Sequence, residues 1–330
     1  MRKSLRDSAA TPRTILRALD RPGPVLITGH VKPDGDFLGS ALGLARWLGS
    51  RGRAVVVVSR DGVPAPYGFL PGADEVASEF PEDPRGRTAI VLDTPALERT
   101  GAPRGYFEGA ECLINMDHHP DNEGFGDAVL VDPSASSVAL LVFEVLREAG
   151  RPIDAATATA LYAGLLTDTG GFRFTNTDAR SLRGAGELAA LGASPSDVAR
   201  TVYGSLTLEE LKLLGLVLSS IEPALGGRVS VLRVTESMRD DAGIAEEGIE
   251  GLASYGRSVE GTEVAVLLRE EGADVRVSLR SAGSVDVGAV ARSLGGGGHR
   301  AAAGLVLDGP VSSARERIVS AIRERIDRER

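Results

Sequence analysis

Asn115-Met116-Asp117-His118-His119-Pro120 follows the apolar run Cys112-Leu113-Ile114. The chain has only 4 His, and this stretch places two of them side by side after an acid. The run reads as a buried strand whose last residues emerge at a sheet edge. Ligands in open α/β sheets gather beyond the carboxyl ends of the strands. The other two histidines, His30 and His299, also stand beside Asp or Gly clusters. That distribution predicts a polar centre assembled from several parts of the chain.

Working outward, short apolar strands are expected over 24–29, 54–59, 88–92 and 128–131 as well. Helices are expected over 12–20, 37–48, 134–149, 154–166 and 178–191. Strands alternating with helices indicate βαβ units and a largely parallel sheet. The pattern changes after Gly192. A helical start at 194–197 and a Leu-rich amphipathic helix over 207–221 read as a connector. Beyond it lie strands over 229–235, 263–269 and 274–280, helices around 246–256 and 287–294, and a closing helix over 312–327. The Glu271-Gly272 turn makes 263–280 an antiparallel hairpin. The expected organisation is α/β in two domains, 1–192 and 223–330, joined by a helical connector at 193–222. The first holds a largely parallel sheet flanked by helices, and the smaller second domain a mixed sheet.

Composition narrows the function classes. A chain of 330 residues with 42% hydrophobic and 25% charged residues is ordinary for a soluble globular protein. The single cysteine, Cys112, excludes an internal disulfide and a thiolate metal cage, which suits a reducing compartment. The basic N-terminus lacks the apolar core of a signal peptide, and no apolar run approaches a membrane span. A cytoplasmic location with no membrane association is expected. The net charge of −9 argues against coating long nucleic acids but not against small phosphorylated ligands.

Several clusters carry chemistry. His30-Val-Lys-Pro-Asp34-Gly-Asp36, on a strand-to-helix turn, offers an imidazole and two carboxylates to divalent cations. Gly39, Ser40, Ala41 and Gly43 keep the following helix slender enough for a phosphate to approach. Asp93 ends a buried strand. In Asp117-His118-His119, neighbouring side chains on extended backbone point apart, so one histidine as ligand and one facing substrate is the natural division. Asp168 sits at a helix C-terminus, where a carboxylate opposes the helix dipole. The N/O ligands His30, Asp34, Asp36, Asp93, His118 and Asp168 suit two divalent ions, which together stabilise the attacking and leaving oxygens of a phosphoryl displacement. Imidazoles favour Mn²⁺, with Mg²⁺ or Co²⁺ as alternatives. Gly295 to Gly298, with His299, is expected to form an anion-binding nest, and Arg280 a phosphate fork.

These motifs resemble the DHH phosphoesterase family in the branch with a DHHA1 C-terminal domain. The likeness rests on His30-x-x-Pro33-Asp34-x-Asp36-x-x-Gly39-Ser40, Asp93, Asp117-His118-His119 and Thr167-Asp168-Thr169-Gly170. In the second domain it rests on Val277-Ser278-Leu279-Arg280-Ser281, Asp286-Val287 and the glycine loop through His299 to Gly304. Within the family, the chain looks most like the short bacterial nanoRNases, described as bifunctional oligoribonuclease and pAp phosphatase. The resemblance implies one metal on His30, Asp34 and Asp93, and a second on Asp36, Asp93, His118 and Asp168, with Asp93 bridging. It makes Asp117 an orienting group and turns His119 to the scissile phosphate. Arg280, Ser281, Gly296, Gly297, Gly298 and His299 would grip the substrate. Implied partners are short RNA or DNA oligonucleotides, pAp, and linear or cyclic dinucleotides, with a homodimer as the assembly. Cyclic-dinucleotide hydrolysis and non-catalytic nucleotide sensing are the competing functions. Pro95 departs from the family pattern, and without an N–H it cannot donate a backbone contact there.

Overall fold

A computed structural model describes residues 11–204, 206–244, 252–283, 285–298 and 300–328. The chain divides into two units, Met1–Ser205 and Leu206–Arg330. The first runs α1 (Pro12–Leu19), β1 (Val25–Thr28), α2 (Gly35–Gly49), β2 (Val55–Val58), β3 (Thr88–Leu92), β4 (Cys112–Asp117), β5 (Ala128–Val131), α3 (Val138–Glu148), α4 (Ala155–Asp168), α5 (Ala179–Ala190) and α6 (Pro195–Tyr203). Its five strands are all parallel, in the order β2-β1-β3-β4-β5. Every residue of β1, β3 and β4 is buried, which is why these strands read as unbroken apolar runs.

Alternate residues serve the two faces of this sheet. Val25, Ile27, Ile90, Leu92, Ile114 and Met116 join the core built with the helices. Leu26, Ala89, Val91 and Leu113 pack instead against Phe107 and Ala110, with Phe80 and Tyr106 beside them. The strand order reverses direction between β1 and β3, and such a switch point is where open α/β sheets bind ligands.

Close helix packing holds the layer above the sheet. A side chain added at Gly39 would put its Cβ 2.4 Å from the Ala160 carbonyl oxygen and 2.8 Å from the Gly164 nitrogen. One added at Gly43 would meet Leu161 at 2.8 Å. The slenderness of α2 therefore serves α4, not a phosphate as the sequence suggested. Ser40 is buried and donates to Asp36 Oδ1 at 3.3 Å.

The second unit runs α7 (Leu208–Ser219), β6 (Glu222–Ala224), β7 (Val229–Val234), α8 (Glu236–Ala242), α9 (Leu252–Gly256), β8 (Val264–Glu271), β9 (Asp274–Ser281), α10 (Val287–Ser293), β10 (Gly297–Gly298), β11 (Ala302–Asp308) and α11 (Val311–Arg328). Its sheet has the order β10-β11-β9-β8-β7-β6 and is mixed, with only β7 and β8 parallel. One face, including Val264, Val266, Val277 and Leu279, packs on α10 and α11. The other, including Leu232 and Leu267, packs on Leu213 and Val217 of α7 and Leu252 of α9. The segment expected as a helical connector holds two helices, one in each unit. α6 packs against α4 in the first unit, and α7 contributes to the second unit's core. The early part of the helix expected over 246–256 lies outside the described residues.

Candidate metal centre

The ends of β1, β3 and β4, with the start of α2 and the end of α4, place the polar groups of the first unit. Asp34 is the N-cap of α2, its Oδ1 accepting from the backbone N–H groups of Asp36 at 3.1 Å and Phe37 at 3.0 Å. This cap starts the helix earlier than its apolar periodicity suggested. It also leaves Asp34 exposed at the helix entrance while Asp36, one half-turn on, is buried.

Asp36 Oδ2 accepts from the Val138 N–H at 2.6 Å, and Oδ1 from the Ala139 N–H at 2.8 Å. The carboxylate therefore seats on the N-terminus of α3, whose leading amide groups lack partners inside the helix. Asp93, immediately after β3, has a positive φ of 53° and donates its N–H to the Met116 carbonyl at 3.0 Å. The left-handed turn carries the side chain off the strand direction and into the cluster.

Three groups of potential ligands result: His30 with Asp34 and Asp93; Asp36 with His118 and Asp168; and Asp93 with His118 and His119. Within each, the nearest ligand atoms all lie within 4.8 Å of one another. His30 Nε2 is 3.6 Å from Asp34 Oδ1 and 3.4 Å from Asp93 Oδ2. His118 Nε2 is 3.6 Å from both Asp93 Oδ1 and Asp168 Oδ2. The ring orientations are set from behind. His118 Nδ1 faces the Ala135 carbonyl at 3.1 Å and His30 Nδ1 the Val31 carbonyl at 2.9 Å. An Nδ1–H donated to a carbonyl leaves Nε2 as the coordinating nitrogen.

His119 is oriented differently. Its Nδ1 contacts Asp117 Oδ1 at 2.8 Å, which turns Nε2 away from that carboxylate. Asp117 is fully buried, and its oxygens also accept from the His118 N–H at 2.8 Å and from Asn122 Nδ2 at 2.6 Å. It therefore orients its neighbours rather than joining a ligand group. The two rings point different ways: His118 Nε2 turns to Asp93 and Asp168, and His119 Nδ1 to Asp117.

Charge accumulates here. Burial raises Asp36 well above the usual carboxylate range, and Asp93 and Asp168 add to the effect. Burial likewise raises Asp168; His118 opposes this, Asp93 and Asp34 reinforce it, and it settles at about 7. Burial disfavours the charged His30 ring, but Asp34 and Asp93 outweigh it and push His30 up to about 11. For His118, burial is likewise overridden by Asp36, Asp168 and Asp93, reaching about 9. Burial opposes the charge of Asp117 too, but hydrogen bonds from His119 and Asn122 hold it below the ordinary range.

Among the described residues, Asp93 Oδ1 and Asp168 Oδ2 are buried side-chain oxygens without a hydrogen-bond donor. Buried acceptors of that kind are costly unless a cation completes them. Orphaned oxygens, converging imidazole nitrogens and the raised carboxyls of Asp36 and Asp168 are a donor set that fits divalent cations. His30, Asp34, Asp36, Asp93, His118 and Asp168 are the residues that could hold them.

Some contributors were not read from the sequence. Asn122 bridges Asp117 to the Thr94 carbonyl at 3.2 Å, and the Glu123 N–H donates to the Pro95 carbonyl at 2.9 Å. Together these fasten the loop after β3 to the loop after β4. Asn176 Nδ2 holds the Asp168 carbonyl at 3.1 Å and that of Ser136 at 3.0 Å. The one sequence signal for Asn122 was an Asn in a turn just after Asp117-His118-His119, a common residue in that setting.

In the second unit, Arg280 lies half-buried on the outer face of β9. Ser281 is 2% exposed on the opposite face, and its Oγ accepts from the Gly283 N–H at 3.0 Å. Strand alternation thus separates Ser281 from Arg280, and their expected shared grip through side chains is not formed. Gly295 and Gly296 turn their N–H groups to the Arg292 and Ala291 carbonyls at 3.2 and 2.8 Å, so these two do not make the expected anion nest. Gly298, with φ 134°, would place a Cβ 2.5 Å from Ala303 Cα. It is a glycine because β11 passes so close. Gly297 pairs with Gly304. His299 lies outside the described residues.

Residues 24–165 match the DHH family N-terminal domain, and residues 226–328 the DHHA1 domain. The chain belongs to this DHH and DHHA1 family. It is 38% identical over 316 residues to the bifunctional oligoribonuclease and PAP phosphatase NrnA of Thermus thermophilus, covering 95% of this chain and 93% of that protein. It is 33% identical to the protein of the same description from Bacillus subtilis, covering 88% and 91%. Among solved structures, an exopolyphosphatase-related protein from Bacteroides fragilis is similar with a TM-score of 0.89 and 26% identity, over 95% of each chain.

Proposed function

We propose that the protein is a phosphoesterase that hydrolyses short oligonucleotides, such as pApA and RNAs of a few nucleotides, to mononucleotides, and pAp to AMP. The observation carrying this reading is the set of interlocking ligand groups sharing Asp93 and His118, with oxygens that need a cation. Relatives described as oligoribonuclease and PAP phosphatase, matched along nearly the whole chain, supply the substrate class.

In this reading, His30, Asp34 and Asp93 would hold one ion, and Asp36, Asp93, His118 and Asp168 would hold a second. The imidazole ligands favour Mn²⁺ over Mg²⁺. Bound divalent ions supply Lewis-acid polarisation of the phosphate and a lowered pKa for the attacking water. The chain's own residues do the rest. Asp117, clamped by Asn122, holds His119 Nδ1 so that Nε2 faces the reacting phosphate. There it donates a hydrogen bond and a proton to the departing ribose oxygen as the phosphorus–oxygen bond breaks. The α3 N-terminus keeps Asp36 fixed while the charge around it changes. The second unit recognises substrate phosphate.

Among the described residues, no helix is long and apolar enough to cross a membrane. The lone cysteine, Cys112, supports a cytoplasmic setting.

The test is metal-dependent hydrolysis of pAp, pApA, a five-nucleotide RNA, cyclic di-AMP and pyrophosphate, with Mn²⁺, Mg²⁺ or Co²⁺. Mononucleotide release from the short linear substrates is the expected result. Cyclic di-AMP turned over much faster than pApA would replace the proposal with the cyclic-dinucleotide reading. Metal binding without turnover of any substrate would make the protein a sensor.

A further inference from the structure

The loop between β5 and α3 ties together three residues that lie far apart in the chain. Asp36, His118 and Asp168 form one of the candidate ligand groups, and each is tied to residues 135–139. The Val138 and Ala139 N–H groups donate to Asp36 at 2.6 and 2.8 Å. The Ala135 carbonyl faces His118 Nδ1 at 3.1 Å. Asn176 Nδ2 donates to the Ser136 carbonyl at 3.0 Å and to the Asp168 carbonyl at 3.1 Å, which couples the end of α4 to the same loop. The group of His30, Asp34 and Asp93 is fastened elsewhere: His30 Nδ1 to the Val31 carbonyl, Asp34 to the start of α2, and the Asp93 N–H to Met116.

The loop itself is pinned from α5. Arg180 forks onto Glu144 of α3, with Nε to Oε1 at 2.7 Å and Nη2 to Oε2 at 2.6 Å, and its Nη1 donates to Asp132 Oδ2 at 2.6 Å. Asp132 opens the loop. Its N–H donates to the Asp117 carbonyl at 3.0 Å, and its own carbonyl accepts from the Ala135 N–H at 3.0 Å. Its Oδ1 accepts from the Ser134 N–H, also at 3.0 Å. Ser181, beside Arg180, places its Oγ 2.8 Å from that of Ser136, and both serines are buried. One guanidinium thus joins the first residue of the loop to the helix that follows it, and a planar fork fixes that geometry as an ammonium group would not.

We propose that Arg180 is a positioning residue for one ion only: through the 132–139 segment it sets the spacing of Asp36, His118 and Asp168, and leaves His30, Asp34 and Asp93 as they are. This deepens the reading of the cluster as a two-ion centre and rests on it. Ligands can be held by separate local contacts or by one shared body, and here the body is shared. A shift of residues 135–139 moves the donors to Asp36, the acceptor behind His118 and the anchor of Asp168 together. Arg180 is not itself a ligand, so its replacement leaves every coordinating atom in place. Groups behind metal ligands are worth about 10–100-fold in affinity, and Arg180, acting through the loop, belongs at the lower end. A second pair between the same two helices, Arg147 with Glu187 at 2.9 Å, lies in the last turn of α3, away from the loop. It separates the role of the loop from simple tethering of α3 to α5.

The experiment is calorimetric Mn²⁺ titration of the full-length protein, with the two binding steps assigned by Asp34→Asn and Asp168→Asn. Arg180→Gln should weaken about tenfold the step that Asp168→Asn weakens, and leave the other within about twofold. Arg180→Lys should recover part of the loss. Asn176→Ala, at an exposed position, should weaken the same step and serves if Arg180→Gln does not fold. Arg147→Gln should change neither step. Equal weakening of both steps, or of none, in the folded Arg180→Gln or Asn176→Ala protein would overturn the proposal. Fewer than two Mn²⁺ steps in wild-type protein would instead sink the two-ion reading. Hydrogen exchange in the metal-free protein then tests the loop alone: faster exchange of the Val138 and Ala139 amides in Arg180→Gln than in Arg147→Gln supports it, and equal exchange refutes it.

Discussion

Gly39→Ala tests whether the metal centre depends on helix packing as closely as the contacts indicate. The new Cβ would sit 2.4 Å from the Ala160 carbonyl oxygen, 2.8 Å from the Gly164 nitrogen and 3.0 Å from Gly164 Cα. All three are backbone atoms, so no side chain can rotate away. Restoring ordinary contact requires α2 and α4 to separate by about 1 Å. Overpacking of this kind costs about 1–3 kcal/mol, or a melting temperature lower by about 2–4 °C for each kcal/mol in a unit of this size. The effect on function should be larger. Asp36 lies one turn before Gly39 on α2, and Asp168 one turn after Gly164 on α4, so the separation is transmitted to two ligands of one group. A misplacement of about 1 Å costs on the order of 100-fold in rate. Calorimetric Mn²⁺ titration, thermal melting and pApA hydrolysis read the three effects. Gly49→Ala, in the same helix with nothing within 4 Å of the added carbon, is the control and should be neutral or mildly stabilising. Folded Gly39→Ala protein with wild-type Mn²⁺ affinity and turnover would refute the argument that this contact sets the ligand spacing.

Asp93→Asn keeps the shape and tolerates the left-handed backbone, so any loss reports on charge; more than about 100-fold should disappear from Mn²⁺-dependent turnover, since even groups behind the ligands are worth 10–100-fold. Asn122→Ala strips a donor from buried Asp117 Oδ2 and should cost about 1–3 kcal/mol in a melting experiment. It should also lower kcat while Mn²⁺ affinity holds; a lost affinity with normal kcat would contradict the orienting role. Metal loading should release protons, because His30 at about 11 and His118 at about 9 are charged at neutral pH without metal and must be neutral to coordinate. Affinity should therefore tighten as pH rises from 6 towards 9. Titrations in buffers of different ionisation enthalpy would expose an absence of proton release.

The cluster residues that follow strands were readable because a polar residue closing an apolar run has few other reasons to be there: His30, Asp93 and Asp117-His118-His119 all follow this rule. Asp168 was readable from its conflict with the helix dipole. What escaped depends on partners distant in the chain. Nothing near Asp36 announces that the N-terminus of α3, 102 residues away at Val138, will hold its carboxylate. Gly39 and Gly43 looked like room for phosphate because a local pattern shows that space is needed but not for whom. The amphipathic pattern of α7 was plain, but not which core would receive it. Ser281 was grouped with Arg280 by adjacency, although a strand sends neighbours to opposite faces.

β1, β3 and β4 are hydrogen-bonded neighbours, and each ends close to a residue of the cluster. Strands in a sheet stand about 4.8 Å apart, a spacing imposed by amide geometry and indifferent to side-chain identity. The ruler for the candidate metal centre is therefore the backbone ladder itself. Insertions and substitutions in the loops beyond these strands can alter what approaches the cluster without altering the spacing of the strand ends that carry it. A site gauged in this way can change its clientele while leaving its chemistry intact.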